Sequence, residues 1–344
     1  MTKKPHRKPV RDGAKFFKSM LLVVGLWAGD NLAMAQSIPL DLQSIDYFQG
    51  RNKGDKIGKL IWRGGFVLHN ENENFGGFSG ITFTSADGKF AAVSDRGYFL
   101  NGQAFYDQKG NLNGLDKLTL RSIKNSKGDD LPTAFSRDSE SIETIFRDGV
   151  PGAVRVGFEH LTRAADFELT NGWPQGAAKE VAIPDWLRRN RHNGSLEALC
   201  IAPPASPIAG STLMLTENVK AKGGDHAAWL KGNKDRGELS FAREGGYKPT
   251  ACAFLPNGDL LILKRDVGLL GFTMRLELIT RDQIKPGARI EGETILSAGG
   301  LAVDNMEGMA VSQGPTNLPR VTLISDDNFN GWQRTLILQF DIQY

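Results

Sequence analysis

Phe75-Gly76-Gly77-Phe78-Ser79-Gly80-Ile81-Thr82-Phe83, then Asp87-Gly88, then Phe90-Ala91-Ala92-Val93-Ser94-Asp95-Arg96-Gly97, reads as two short apolar strands joined by a tight turn. Asp-Gly between apolar runs is a strong hairpin signal, because hairpin turns need residues that tolerate positive φ. The arrangement recurs four more times. An apolar strand opens beside Glu, Ser or Thr, and a second strand ends 16 to 20 residues later on a charged residue. The pairs are Ser79 with Asp95, Glu140 with Glu159, Glu197 with Glu217, Thr250 with Asp266, and Glu307 with Asp326. The opening positions lie 61, 57, 53 and 57 residues apart, and a period of that size marks an array of similar supersecondary units.

Further strands follow each pair, including 166–170, 273–280 and 335–342, with shorter ones at 179–183 and 293–297. Four short antiparallel strands per repeat predict an all-β fold, a single β-propeller of four-stranded blades around a central channel. A β-sandwich would not require charged ends to recur in register, and a stacked solenoid has shorter repeats. Five repeats are counted, with six as the alternative if 98–139 hides a degenerate one. Residues 59–68 form another strand pattern ahead of the first repeat. Their use would be to complete the last blade and remove an open sheet edge. The polar stretches 110–130 and 223–237 read as long loops.

The chain has 344 residues, 40% of them hydrophobic, enough for a sizeable core in one closed array. Its net charge of +3 is misleading: residues 1–35 carry seven Lys/Arg against two acids, which leaves −2 for the remainder. The body is mildly acidic and offers no argument for nucleic acid as a partner. Residues 1–35 have the pattern of a secretory signal peptide: a basic stretch to Lys18, an apolar segment from Met20 to Trp27, and Ala33-Met34-Ala35 before a cut near Gln36. An uncleaved basic anchor is the alternative. Residues 36–344 would then be a periplasmic or secreted propeller without a membrane span. The two cysteines, Cys200 and Cys252, open neighbouring repeats one position out of phase. A disulfide is open to them, but that phase favours two separate buried thiols.

In a hairpin the start of the first strand and the end of the second lie at the same end, so both sets of recurring residues should meet at one mouth of the channel. Crowded carboxylates raise each other's pKa values unless something compensates. One compensation is a hard cation such as Ca²⁺, held by Asp95, Glu140, Glu197, Glu217, Asp266, Glu307, Asp326, Asp327 and Asn328. The other is pairing with Arg96 and Arg265, which would brace blade to blade; Lys264 and His160 are the further bases on offer at this mouth. Glu159 and His160 are the proton-transfer candidates, and Arg96 and Arg265 the stabilisers of a developing anion. His69, His192 and His226 fall in polar stretches. No Gly-x-Ser-x-Gly, zinc-ligand, Walker or dinucleotide pattern is present.

Several segments resemble the phytase-like domain family, often labelled as having esterase-like activity. They are Phe75–Ile81 leading to Ser94-Asp95-Arg96-Gly97, Asp138-Ser139-Glu140-Ser141-Ile142, Phe158-Glu159, Asn305-Met306-Glu307-Gly308-Met309-Ala310, and Ser325-Asp326-Asp327-Asn328-Phe329 with Gln333-Arg334-Thr335. The likeness spans about 43–342 and implies an exported bacterial propeller. Here Thr250 stands where three other repeats have Glu, and Lys264-Arg265 adds positive charge, so the acidic ring is interrupted. The expectation is a hydrolase of small-molecule esters or phosphate esters assisted by a divalent cation. A non-catalytic binding module and a sugar-lactone hydrolase are the alternatives.

Overall fold

The computed structural model describes residues 1–2, 36–232, 235–269 and 271–344. Residues 3–35 of the expected leader and residues 233–234 of the 223–237 stretch lie outside the described residues. Five blades form the ring. Blade 1 is Phe78–Phe83, Lys89–Ser94, Tyr98–Tyr106 and Leu112–Ser122. Blade 2 is Ser139–Arg147, Val150–Phe158, Arg163–Thr170 and Trp173–Val181. Blade 3 is Ala198–Ile201, Thr212–Lys220, His226–Lys231 and Gly237–Phe241. Blade 4 is Lys248–Phe254, Leu260–Gly268, Gly271–Ile279 and Glu293–Gly299. Blade 5 is Met306–Gln313, Pro319–Ser325 and Thr335–Ile342, and its fourth strand is Leu60–His69 from the other end of the chain.

That last pairing runs antiparallel from Thr335 opposite Leu68 to Ile342 opposite Leu60, so the segment expected to close the ring does so. Asp41–Ile45 then adds outside Leu60–His69, and Gln36–Ser37 pairs with the outer strand of blade 1. Among the described residues there is no sixth blade. The 98–139 stretch supplies the two outer strands of blade 1, and Leu112–Ser122 replaces the expected 110–130 loop. Its polar composition misled because only Leu112, Leu115, Leu118 and Leu120 of this strand are buried, with half-buried or exposed residues between them. His226, expected in a loop, is a buried residue that starts a strand of blade 3.

Alternation within each strand feeds two inter-blade cores at once. Phe90 and Ala92 face blade 5, packing with Ile324 and Ile337, whereas Ala91 and Val93 face blade 2, packing with Ile142, Val154 and Val156. Period-2 patterning with both faces buried explains why these strands read as continuous apolar runs. The remaining clusters join blades 2 and 3 through Leu196, Leu199 and Met214, blades 3 and 4 through Leu213, Leu215 and Ile262, and blades 4 and 5 through Leu263, Leu276, Leu323 and Leu338.

Around the axis the inner strands nearly touch. A Cβ at Gly308 would sit 2.9 Å from the Cα of Gly80, and one at Gly80 would sit 3.0 Å from the backbone N of Ile142. The space between the inner strands is about 10 Å³, room for one water-sized sphere. The channel is therefore a plugged neck beneath a mouth.

Cys200 and Cys252 form a disulfide between the inner strands of blades 3 and 4, so the expectation of separate thiols is corrected. Neighbouring blades pack face to face, so side chains on opposite faces of their own inner strands point at each other. The difference in phase is what brings Cys200 and Cys252 together in one inter-blade cluster.

Two outcomes follow from this packing. Gly308→Ala should destabilise by about 1–3 kcal/mol through overpacking, whereas Gly114→Ala, with open space around it, should leave urea unfolding nearly unchanged. Replacing both cysteines by Ala should cost up to ~4 kcal/mol, the chain-entropy value for a loop of this size. Equal unfolding midpoints with and without reductant would contradict the second.

Candidate functional site

Each inner strand begins with the same device. In blade 1, Phe78 faces Ser94 and Gly80 faces Val93, so Ser79 is an extra, unpaired residue. Glu140, Thr250 and Glu307 are the extra residues of blades 2, 4 and 5 in the same way. In blade 3, Glu197 donates its backbone N–H to Leu215 O at 3.1 Å, the residue that Ala198 already faces. A bulge leaves its extra residue outside the ladder and bends the strand. Here it frees five side chains at the channel end of five inner strands, and those positions are the ones whose period organises the sequence.

The second set follows from the register. Asp95, Glu159 and Asp326 directly follow Ser94, Phe158 and Ser325, and their backbone N–H groups bond to the carbonyls of Gly77, Asp138 and Asn305 at 3.0, 3.0 and 2.9 Å. Glu217 holds this place in blade 3. In blade 4, Lys264 faces Pro249, so Arg265 takes the place and Asp266 falls one position beyond it. Asp266 accepts from the N–H of Val267 at 2.8 Å and stands outside the ring. Lys264 is turned away from the mouth altogether, buried against Glu277 at 2.7 Å.

A third set went unnoticed in the sequence, two residues before each bulge: Gly77, Asp138, Ser195, Lys248 and Asn305. It repeats with the same period and could have been found by that alone. Asp138 joins Glu159 and His160, whose ligand atoms lie within 4.8 Å of one another. His160 Nδ1 bonds to Asp138 Oδ2 and lies 3.8 Å from Glu159 Oε2, while the Phe135 ring packs against the imidazole at 5.0 Å. Glu159 Oε1 accepts the backbone N–H groups of Gly194 and Ser195. Asn305 Nδ2 donates to Glu307 Oε1 at 2.8 Å and Asp326 Oδ2 at 3.3 Å, and its buried Oδ1 has no hydrogen-bond partner among the described residues.

The cations sit on one side. Arg265 lies 3.0 Å from Glu307 and 3.9 Å from Glu217, and Lys248 lies 3.2 Å from Glu217. Arg96 is at the rim, its guanidinium stacked 3.4 Å over the Phe329 ring and bonded to the carbonyl of Glu73. Asp327 is engaged in holding the mouth's shape. Its Oδ1 accepts from the N–H of Gly77 at 2.9 Å and of Phe329 at 3.1 Å, and its Oδ2 accepts from Thr335 at 2.9 Å. Gly76 and Gly77, both at positive φ, leave the room that Asp327 and Asp95 occupy. Asn328 adopts a left-handed turn with its N–H on Asp326 Oδ1 at 2.7 Å.

Burial pushes these carboxyls up, and their neighbours push further. Asp95 is raised to about 7 by burial, then by Asp138 and, less, by Glu307 and Asp327, against the pull of Arg96. Asp326 is raised to about 8 by burial and Glu307. Glu140 is raised well above its ordinary value by burial and by Asp138, Glu307, Glu159 and Asp95. Glu197 is likewise raised by burial and by Glu140, Glu159 and Glu217. A side-chain hydrogen bond between Glu159 and Glu197 holds the shared proton on Glu197. Burial opposes the charge on Arg265, yet Glu307, Glu197 and Glu217 raise it above its ordinary value. Eight carboxyls thus face two inward cations, Arg265 and Lys248.

No curated protein sequence matches the chain. The PQQ-bound aldose sugar dehydrogenase of Streptomyces coelicolor is a similar solved structure, at 11% identity and a TM-score of 0.43, covering 81% of this chain and 98% of that one. A likeness at that level adds nothing to the reading of the site. The family described as "Esterase-like activity of phytase", Phytase-like, matches residues 73–329, which takes in all three sets of mouth residues. The chain belongs to the phytase-like family.

Proposed function

We propose that the mouth is the active site of an ester or phosphoester hydrolase that works with a divalent cation, Ca²⁺ by the chemistry of its donors. The observation that carries this is Glu140. Among the described residues it makes no hydrogen bond and no ion pair, although Asp138, Glu307, Glu159 and Asp95 crowd it. Glu140 is half-buried, and a partly desolvated carboxylate crowded by four others without a partner is costly, so a cation supplies what the fold withholds. The surroundings fit one. The donors are oxygens from carboxylates and an amide, and Asn305 Oδ1 is a buried acceptor left over.

Glu140, Glu307, Asp326, Asp95 and Asn305 would hold the cation. It would supply polarisation of the ester oxygen and a lowered pKa for a bound water. The remaining steps belong to side chains. The Nδ1 bond to Asp138 leaves the lone pair of His160 on Nε2, from which it takes the proton of the attacking water as the water oxygen bonds to the ester centre. The leaving alcohol then receives that proton. Glu159, pinned by two backbone N–H groups, orients this pair and does not act as the base. Arg265 stabilises the developing anion, and Arg96 at the rim draws an anionic substrate in. Asp266, Asp327 and Asn328 have no part as ligands in this reading. Export belongs to the proposal too. Its support is the pattern of residues 1–35, together with a disulfide suited to an oxidising compartment.

Calcium should raise the melting temperature of the wild-type protein, a chelator should reverse this, and Glu140→Gln with Asp326→Asn should abolish the response. Model acyl and phosphate esters should turn over only with the cation, and His160→Gln should lower kcat by 10²–10⁴-fold with calcium stabilisation intact. Equal melting temperatures with and without calcium, and no turnover in any condition, would sink the proposal.

The pH dependence has a defined sign. In Asp95 and Asp326 the folded pKa lies above the unfolded one, so the native state binds more protons between about pH 4 and pH 8. Stability without cation should therefore fall as pH rises through that window and level off above it. The calcium-induced rise in melting temperature should be larger at pH 8 than at pH 5.5. A flat profile for the cation-free protein would contradict the assignment.

A further inference from the structure

The mouth face carries a second feature that ester chemistry does not use. Four large apolar side chains project from neighbouring loops of blades 4 and 5: Val267 at 59% exposure, Leu269 at 102%, Leu301 at 92% and Trp332 at 94%. Val267 and Leu269 lie at the tip of the hairpin where Gly268 faces Gly271. That hairpin's second strand pairs Thr273 with Gly299, and Leu301 follows directly in the turn Gly300–Ala302. Arg334 ties this turn to the Trp332 loop, donating to the carbonyls of Leu301 at 3.2 Å and Val303 at 3.0 Å. The four side chains therefore form one crest along one side of the mouth.

We propose that this crest docks the mouth face onto a phospholipid surface. The crest is convex. Side chains at nearly full exposure rise from loop tips, so a rigid partner would need a groove of matching depth, whereas a lipid interface deforms to receive them. Its composition is that of an interfacial anchor, aliphatic tips with a Trp beside them. Its charge surroundings agree. On the crest side Lys248, Arg265 and Arg334 are each matched by Glu217, Glu307 and Asp304. This leaves Asp266, beside Val267, without an ion pair among the described residues, a charge that a zwitterionic headgroup layer accommodates. The excess of carboxylates, Asp95, Asp138, Glu140 and Glu159, lies toward blades 1 and 2, across the mouth from the crest. Large apolar side chains exposed on the opposite face, such as Phe105 and Phe146, stand in separate blades without such continuity. The proposal does not depend on hydrolysis.

Trp332 is the reporter. Trp62 is buried, Trp173, Trp186 and Trp229 are partly so, and Trp27 falls in the leader pattern, so the measurement uses the protein from Gln36 onward. Phosphatidylcholine vesicles in chelator, which keeps the cation site out of the measurement, should blue-shift the emission of the wild-type protein and pellet it with the lipid. Trp332→Phe should lose the shift while still pelleting. Leu269→Asp with Leu301→Asp should weaken vesicle partition at least tenfold with an unchanged melting temperature, since both side chains are already in water. Absence of any shift or pelleting overturns the proposal. So does partition unaltered in the double variant, or a shift that grows with protein concentration without lipid, which would mark a second copy of the chain as the occupant. None of these results bears on calcium binding or ester turnover.

Discussion

A single extra residue per blade governs this molecule. Inner strands that approach to backbone contact around an axis leave no space for side chains between them, as Gly80 and Gly308 show. A side chain can enter the axis only where the ladder is interrupted. The bulges at Ser79, Glu140, Thr250 and Glu307, and the equivalent bond at Glu197, make that interruption at one end of every blade. Closing the ring and building the mouth are in this sense the same act. The glycines draw the strands in, and the bulges turn polar groups out of the sheets to the one place with room for them.

That geometry carries an electrostatic cost. Glu and Asp gathered within a few residues of a buried neck lose more to desolvation than their few hydrogen bonds return, and each makes its neighbour harder to ionise. Blade 4 relieves part of this by placing Arg265 and Lys248 where other blades place acids, so the ring is polar in the directional sense, cationic on one side and anionic on the other. What it does not relieve is concentrated at Glu140. An arrangement evolved only to brace blades would be expected to pair its most crowded carboxylate. This one leaves it bare.

The period of the strand-end residues was legible in the chain because a propeller repeats its hairpins, and Asp-Gly turns mark them. Closure by the 59–68 segment was legible for the same reason, as a strand pattern with no blade of its own. What misled was phase. Lys264-Arg265-Asp266 offers three charged residues in a row, and only the register shows that Arg265 takes the ring position. Cys200 and Cys252 likewise lie on opposite faces of their own sheets, and only the face-to-face packing of blades turns two thiols into a disulfide. Asp138 escaped notice because it precedes the strand it serves, though Gly77, Ser195, Lys248 and Asn305 hold the corresponding places. A bulge is a difference of one in the pairing of two strands, and no local composition announces it.

The strand Leu60–His69 has a consequence in time. It leaves the ribosome first among the blade strands, yet its partner Thr335–Ile342 comes last of them, so the fifth blade lacks its fourth strand until Thr335–Ile342 has been made. Pairings of such long sequence separation are slow to form. Until that moment Glu307 and Asp326 belong to a sheet with an open edge, and their carboxyls remain hydrated and ordinary. The crowding of charge at the mouth is thus postponed to the final closure, when four finished blades are ready to bear it.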